Sequence, residues 1–331
     1  MKRLSIGKIR GLQQIANPDG ILTMCAMDHR GSLRSMIGAD NPGEVSYEDM
    51  VERKLELCSA LAKYASAVLL DPIFGAAQCI SHGVLPNSTG LLVSIEASGY
   101  SGGEEQRLAT LLDDWSVEKI KRMGASAVKI LVYYRPDLKQ LAEKQLNTVN
   151  EVALECIKYD VPFLVEPKSY PTGNEINNPR EFAALQEQLV IQTARDFTAL
   201  PIDVLKAEFP ADLRYKTNKS ELIELCRQLD MSSRVPWVIL SSGVSFELFV
   251  QQVEIASQAG ASGFLGGRAI WQEAMHIDNT GGRVHYLSTV GADRLRKLVE
   301  IANKYAVPWY KKLGISAHEL TQTSGRWYKE Y

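Results

Sequence analysis

The stretch AVKILVYY at residues 127–134, with PFLVEP at 162–167 and DVLKAEF at 203–209, decides the fold. Each run is apolar at nearly every position, where a half-exposed strand would alternate. Each therefore reads as a parallel strand covered on both faces. Working outward, five more runs have the same character: ILTMCAMD (21–28), SAVLLDP (66–72), GLLVSIEA (90–97), PWVILSSG (236–243) and GFLGGRAIW (263–271). Segments of helical spacing lie between them. In EDMVERKLELCSALAKY, Val51, Leu55, Cys58 and Ala62 share one stripe, while Glu52, Arg53, Glu56 and Lys63 fall elsewhere. Further helices are expected in EEQRLATLLDDWSVEKIKRM, LKQLAEKQLNTVNEVALECIKY, PREFAALQEQLVIQTARDF, SELIELCRQL and SFELFVQQVEIASQAG, with DRLRKLVEIANKY as a closing helix.

Eight strands alternating with helices leave a barrel or a large doubly wound sheet. No Gly-x-Gly-x-x-Gly follows the first strand, so the dinucleotide fingerprint of the wound sheet is absent. Polar residues recur at the C-terminal ends of the runs: Asp28, Asp71, Glu96, Glu166, Lys206, Ser242 and Arg268. In a barrel, catalytic groups gather there from several strands. The expectation is a single (β/α)8 TIM barrel over residues 1–331, with an N-terminal extension (about 1–20) and a closing helix plus tail (about 290–331).

Composition narrows the function. A formal charge of −2 with scattered Lys and Arg gives no footprint for nucleic acid or an anionic membrane. No apolar run is long enough to span a bilayer. The start, MKRLSIGKIRGLQQ, lacks the apolar centre of a secretory leader. Five cysteines, an odd number with no C-x-x-C, read as free core thiols in a reducing cytosol, so a cytoplasmic location is expected. The five histidines are dispersed without metal-ligand spacing, so neither a metal nor another cofactor is expected.

The sharpest chemical signal is Lys206, inside the apolar strand DVLKAEF. Burial disfavours the ammonium, by up to ~3–5 pKa units, and yields the neutral amine that attacks a carbonyl. Lys129, in AVKIL, has the same context and would repel a second charged lysine. The alternative is a pair of strand lysines held by carboxylates such as Asp203 or Glu208. Glu166, on the strand next to Lys206, suits proton transfer, or else a plain salt bridge. Ser242 and Gly243 after strand seven, with Gly267 and Arg268 after strand eight, occupy the places where barrels hold phosphate. Tight turns with a surface-paired Arg would explain the same letters. Asp28, His29 and Arg30 close strand one and suit recognition of hydroxyls or a second anion; a helix cap is the competing explanation. For Asp71 and Glu96 structural pairing is expected, and for His82 a surface position.

Together these residues resemble the class I tagatose-1,6-bisphosphate aldolase family. The likeness runs from Ile21 to Trp271 through AMDHRGSL, AVLLDPIFG, WSVEKIKRMGASAVKILVYYRPD, PFLVEPKSY, DVLKAEFP, PWVILSSGVSFELF and AGASGFLGGRAIW. It implies Lys206 as the Schiff-base lysine, Glu166 as acid/base, Lys129 as their neighbour, and Ser242, Gly243, Gly267 and Arg268 as phosphate ligands. The implied reaction cleaves D-tagatose 1,6-bisphosphate to dihydroxyacetone phosphate and glyceraldehyde 3-phosphate. The family usually has Asp-Gln-Arg after strand one, where this chain has Asp28-His29-Arg30. A related group, the sulfofructose-phosphate aldolases, shares the serine-rich strand seven and AGASGFL, and would give sulfolactaldehyde instead. A metal-dependent class II aldolase and a non-catalytic sugar-phosphate sensor are the readings of other kinds. The expected partner is a small sugar phosphate, in a homo-oligomer. The tail with Trp327, Tyr328 and Tyr331 is expected over the barrel mouth or at a subunit contact.

Overall fold

The computed structural model describes residues 4–321, 323 and 325–331. Eight parallel strands pair in chain order and close, β8 on β1. They are β1 (Leu22–Ala26), β2 (Ala67–Leu70), β3 (Gly90–Ser94), β4 (Ala127–Tyr133), β5 (Phe163–Lys168), β6 (Val204–Ala207), β7 (Trp237–Leu240) and β8 (Gly263–Gly266). Side chains alternate across a strand, so each apolar run supplies two cores. Met24, Leu69, Leu92, Ala127, Leu164 and Val204 point into the barrel. Cys25, Val68, Val93, Val128, Phe163 and Leu205 pack outward against the helices.

The first helix, α1 (Ile6–Ile15), closes the N-terminal end, where its Leu12 and Ile15 join the interior cluster with Trp309. Lys8 of α1 pairs with Asp203 at 2.6 Å. Gly31–Ile37 (α2) and Tyr47–Leu61 (α3) follow β1, and Ala76–Ser81 (α4) follows β2. Then come α5 (Val117–Arg122), α6 (Lys139–Lys158), α7 (Pro179–Thr198), α8 (Lys219–Ser232) and α9 (Phe246–Gln258). Polar caps start several of them: Ser46 makes a capping box with Asp49, and Ser245 accepts from Leu248 N.

Two expectations are corrected. The helix expected over residues 104–123 is confined to α5. Upstream, the chain turns at Gly102 and Gly103, with φ of +88° and +82°, and doubles back through bridges from Glu96 to Leu111 and Ser101 to Leu108. The left-handed glycines reverse the chain just ahead of this segment, and the Arg107 guanidinium stacks on Tyr100, Tyr133 and Tyr170 at 4.8–5.6 Å, holding it off a helical path. Strand eight also ends early, and Arg268–Trp271 is helical. A Cβ on Gly267 would fall 2.8 Å from His29, so the chain turns where only glycine fits. The C-terminal segment runs under the N-terminal end of the barrel, away from the mouth: Trp309 N donates to Gly20 O, and the Tyr331 hydroxyl donates to Asp160.

One ion pair ties this frame to the barrel mouth. Lys54 of α3 and Asp71 after β2 are both fully buried and 2.8 Å apart. Lys54 also donates to Met27 O and, at 2.7 Å, to His29 O. Asp71→Asn strands a buried ammonium and is expected to cost about 3–5 kcal/mol. The measurement is the denaturant midpoint at unchanged slope; a loss below ~1 kcal/mol would mean that the pair behaves like a surface one.

Candidate active site

Continuing the interior register by two residues takes strand after strand from an apolar side chain to a polar one. Leu164 is followed by Glu166, Ala127 by Lys129, Val204 by Lys206 and Ala26 by Asp28. These groups meet at the C-terminal mouth. Lys206 Nζ lies 2.8 Å from Glu166 Oε2, and Lys129 Nζ lies 3.2 Å from that same oxygen. Lys129 also contacts Asp28 Oδ2 at 2.7 Å and Glu96 Oε1 at 2.8 Å.

The two lysines have different surroundings. Burial works against the Lys129 charge, yet Asp28, Glu96 and Glu166 outweigh it and hold its pKa well above the usual lysine value. Lys206 pairs with Glu166, whose Oε2 it shares with Lys129. Burial alone would raise the Asp28 and Glu166 carboxyls. Lys129 outweighs it for Asp28, and Lys206 with Lys129 outweighs it for Glu166, so both lie below the ordinary range.

Lys206 and Glu166 stand where two cavity lobes adjoin. The first, 240 Å³, is lined also by Lys168, Ser241, Ser242, Gly267 and Arg268. Ser242 and Gly243 have φ of +49° and +79°, and a Cβ on Gly243 would come 3.0 Å from Arg268 Cζ. Glycine thus lets the backbone lie against the guanidinium, whose buried Nε makes no hydrogen bond among the described residues. The second lobe, 290 Å³, adds Asp28, Arg30, Glu96, Ser98 and Lys129, while His29 lines both lobes. Arg30 donates from Nη2 to Glu96 O at 2.8 Å, while its buried Nη1 has no hydrogen-bond partner among the described residues. The His29 ring meets Trp271 edge-on at 5.1 Å. Burial pushes its pKa down to about 3 against the pull of Asp28, and Arg268 adds to the depression, so the imidazole is neutral near pH 7.

The structure therefore brings Lys206, Glu166, Lys129, Asp28, His29, Arg30, Ser242, Gly267 and Arg268 to the two lobes, with Gly243 against Arg268. The carboxylates considered for Lys206 are engaged elsewhere: Asp203 with Lys8, and Glu208 with Lys168 at 2.8 Å. Asp71 holds Lys54, Glu96 holds Lys129, and His82 is exposed beside Gln78 O. All five cysteines are buried and free. Lys168, Tyr133 and Lys54 went unread. A two-residue step from Glu166 would have found the first, since it keeps Lys168 on the same strand face.

The depressed His29 pKa has a consequence for stability. Between about pH 6.5, where a free histidine titrates, and about 3, the unfolded chain binds a proton that the folded one refuses. Stability is therefore present above that window and lost as pH falls through it. His29→Gln removes this penalty, so its stability relative to the parent should improve by about 1.4 kcal/mol per pH unit on acidifying from 6 to 4.5. Denaturant titrations across that range check it; a constant difference would show that His29 titrates normally.

Comparison with known proteins gives the chain its place. The DeoC/LacD family aldolase profile matches residues 22–273, from the first barrel strand to beyond the last. Tagatose 1,6-diphosphate aldolase 1 of Streptococcus pyogenes serotype M1 is 31% identical over 331 residues, covering 94% of this chain and 99% of that one. Tagatose 1,6-diphosphate aldolase of Staphylococcus aureus (strain bovine RF122 / ET3-1) is 29% identical over 322 residues, covering 92% and 98%. Among solved structures, the fructose-bisphosphate aldolase of Plasmodium falciparum matches with a TM-score of 0.70 at 15% identity, covering 92% and 98%. An archaeal fructose 1,6-bisphosphate aldolase gives 0.59 at 18%, covering 89% and 99%. At such identities these two speak for the barrel fold alone. Among the described residues no helix is long and apolar enough to cross a membrane. The profile match and the nearly full-length relatives carry the assignment: this chain belongs to the DeoC/LacD family of aldolases, and it is a lyase.

Proposed function

We propose that the chain is a class I aldolase that cleaves a ketose 1,6-bisphosphate, D-tagatose 1,6-bisphosphate first, through a Schiff base on Lys206. The observation that carries this reading is the 2.8 Å contact of Lys206 Nζ with Glu166 Oε2, 4% and 7% exposed, at the junction of the two lobes. That contact puts a base within reach of the ammonium proton, which must leave before the amine can attack. Lys129, a locked cation on the same oxygen, disfavours a second ammonium beside it.

The amine adds to the C2 ketone, and loss of water gives an iminium. Glu166, directly or through a water, removes the C4 hydroxyl proton. The C3–C4 bond breaks, its electron pair moves into the iminium as an enamine, and glyceraldehyde 3-phosphate leaves. Protonation at C3 and hydrolysis return Lys206 and release dihydroxyacetone phosphate. Ser242, Gly243, Gly267 and Arg268 receive the C1 phosphate, since the unpartnered Arg268 Nε lacks an acceptor there. Asp28, His29 and Arg30 receive the C4–C6 end. The naming of the two relatives as tagatose 1,6-diphosphate aldolases supports the order of substrates. His29 in place of the family's glutamine keeps sulfofructose 1-phosphate as the second reading, because that residue borders both ends of the site.

The test is borohydride trapping with dihydroxyacetone phosphate in the presence of chelator, followed by peptide mass mapping. A reduced adduct on Lys206, absent from Lys206→Ala, is expected. Glu166→Gln should slow cleavage by about 10²–10⁴-fold. Near-parental turnover in Lys206→Ala would sink the reading, and loss of activity in chelator would favour metal-assisted chemistry. Thermal stabilisation by the sugar phosphate without cleavage would favour a sensor. Glyceraldehyde 3-phosphate and sulfolactaldehyde, offered in parallel as acceptors, decide the substrate.

A further inference from the structure

Two residues beyond Glu166 on β5 stands Lys168, and two residues beyond Lys206, just past β6, stands Glu208. The same two strands thus carry a second ion pair with the charges exchanged, 2.8 Å between Lys168 Nζ and Glu208 Oε1. Lys168 also donates to Ser242 Oγ at 2.7 Å and lines the lobe that holds Arg268. The partners are unequally held. Glu208 is buried and accepts from Ser169 N at 2.7 Å and Ser169 Oγ at 2.6 Å, whereas the Lys168 side chain is 28% exposed. If the ammonium leaves, the carboxylate keeps two hydrogen bonds and is not orphaned. A lysine on a flexible stem is suited to such a move, where a forked guanidinium is not.

We propose that Lys168 is the movable second cation of the anion lobe: it rests on Glu208 and Ser242 in the free protein and turns to the C1 phosphate of the ketone bound on Lys206. The idea rests on the Schiff-base reading for its ligand. Arg268 supplies the fixed charge and Lys168 the adjustable one, so the lobe selects a phosphorylated ketone over a neutral one of the same skeleton.

Borohydride trapping titrated with dihydroxyacetone phosphate, and separately with dihydroxyacetone, tests it in Lys168→Met. The half-saturating concentration should rise by about 10–100-fold for the phosphate ester, the loss of one charge-assisted hydrogen bond, and stay unchanged for dihydroxyacetone. Lys168→Arg should restore part of the loss and serves as the folded control if the methionine variant melts early. An equal loss with both ketones, the mark of a merely structural lysine, overturns the proposal, as does no loss with either. If the parent protein forms no adduct at all, the imine reading fails by itself, and inorganic phosphate then decides on Lys168. A phosphate-dependent rise in melting temperature that shrinks in Lys168→Met upholds the second cation; no rise in the parent, or the same rise in both, removes it.

Discussion

The arrangement hangs on a buried ammonium, Lys129, with carboxylates of three other strand ends around it. At 1% exposure it has lost its water, and an uncompensated charge in that place would cost several kcal/mol. Asp28 beyond β1, Glu96 beyond β3 and Glu166 on β5 supply the compensation. Glu96 and Glu166 are themselves buried and Asp28 is nearly so, and each needs the lysine in return. The cluster is therefore mutual: Asp28 cannot be moved without disturbing the oxygen of Glu166 that Lys206 touches. Contributions of its members are coupled and will not add.

Alternation along a strand is what delivers the charges to one level. The inward side chains are apolar along the lower barrel, which they fill, and on β1, β3, β4, β5 and β6 they turn polar where the filling ends, whereas β7 and β8 continue to Leu240 and Gly267. From outside, Lys54 grips the backbone of Met27 and His29 while Asp71 neutralises it. The Asp28-His29-Arg30 turn is held from within by Lys129 and from without by Lys54. A loop so fixed presents its side chains with little conformational freedom left to lose on binding.

Strand positions were legible because burial on both faces writes a continuous apolar run, and Lys206, Lys129 and Glu166 stood out as charges inside such runs. Their partners were not legible. Lys129 and Asp28 are 101 residues apart and meet only because the barrel closes. Asp203 and Glu208 suggested themselves for Lys206 by nearness in sequence, yet Asp203 holds Lys8 and Glu208 holds Lys168. Neighbouring strands in the sheet outweigh neighbours in the chain. The same blindness produced the false helix before α5. Leu108, Leu111 and Leu112 have plausible helical spacing, but Gly102 and Gly103 and the three tyrosines under Arg107 are tertiary constraints that no periodicity records.

In the proposed reaction the two lobes ask different things of a substrate. Beyond the Lys206–Glu166 pair, the Arg268 lobe adds the cations Lys168 and Arg268, with Glu208 behind Lys168, a field for a compact dianion. The other lobe is rich in carboxylates already committed to Lys129, which suits hydroxyl groups more than charge. His29 is neutral there, so putting it where relatives carry glutamine changes the hydrogen-bonding outline without adding a positive charge. In this reading Arg30 meets an anion at the far end, since among the described residues its Nη1 has no hydrogen-bond partner and its Nη2 is fixed on Glu96 O. A guanidinium offering one free edge discriminates weakly between a phosphate and a sulfonate by charge. In this reading His29, packed edge-on against Trp271 and lining both lobes, is the neutral group through which the turn after β1 shapes the space between the two ends of the substrate.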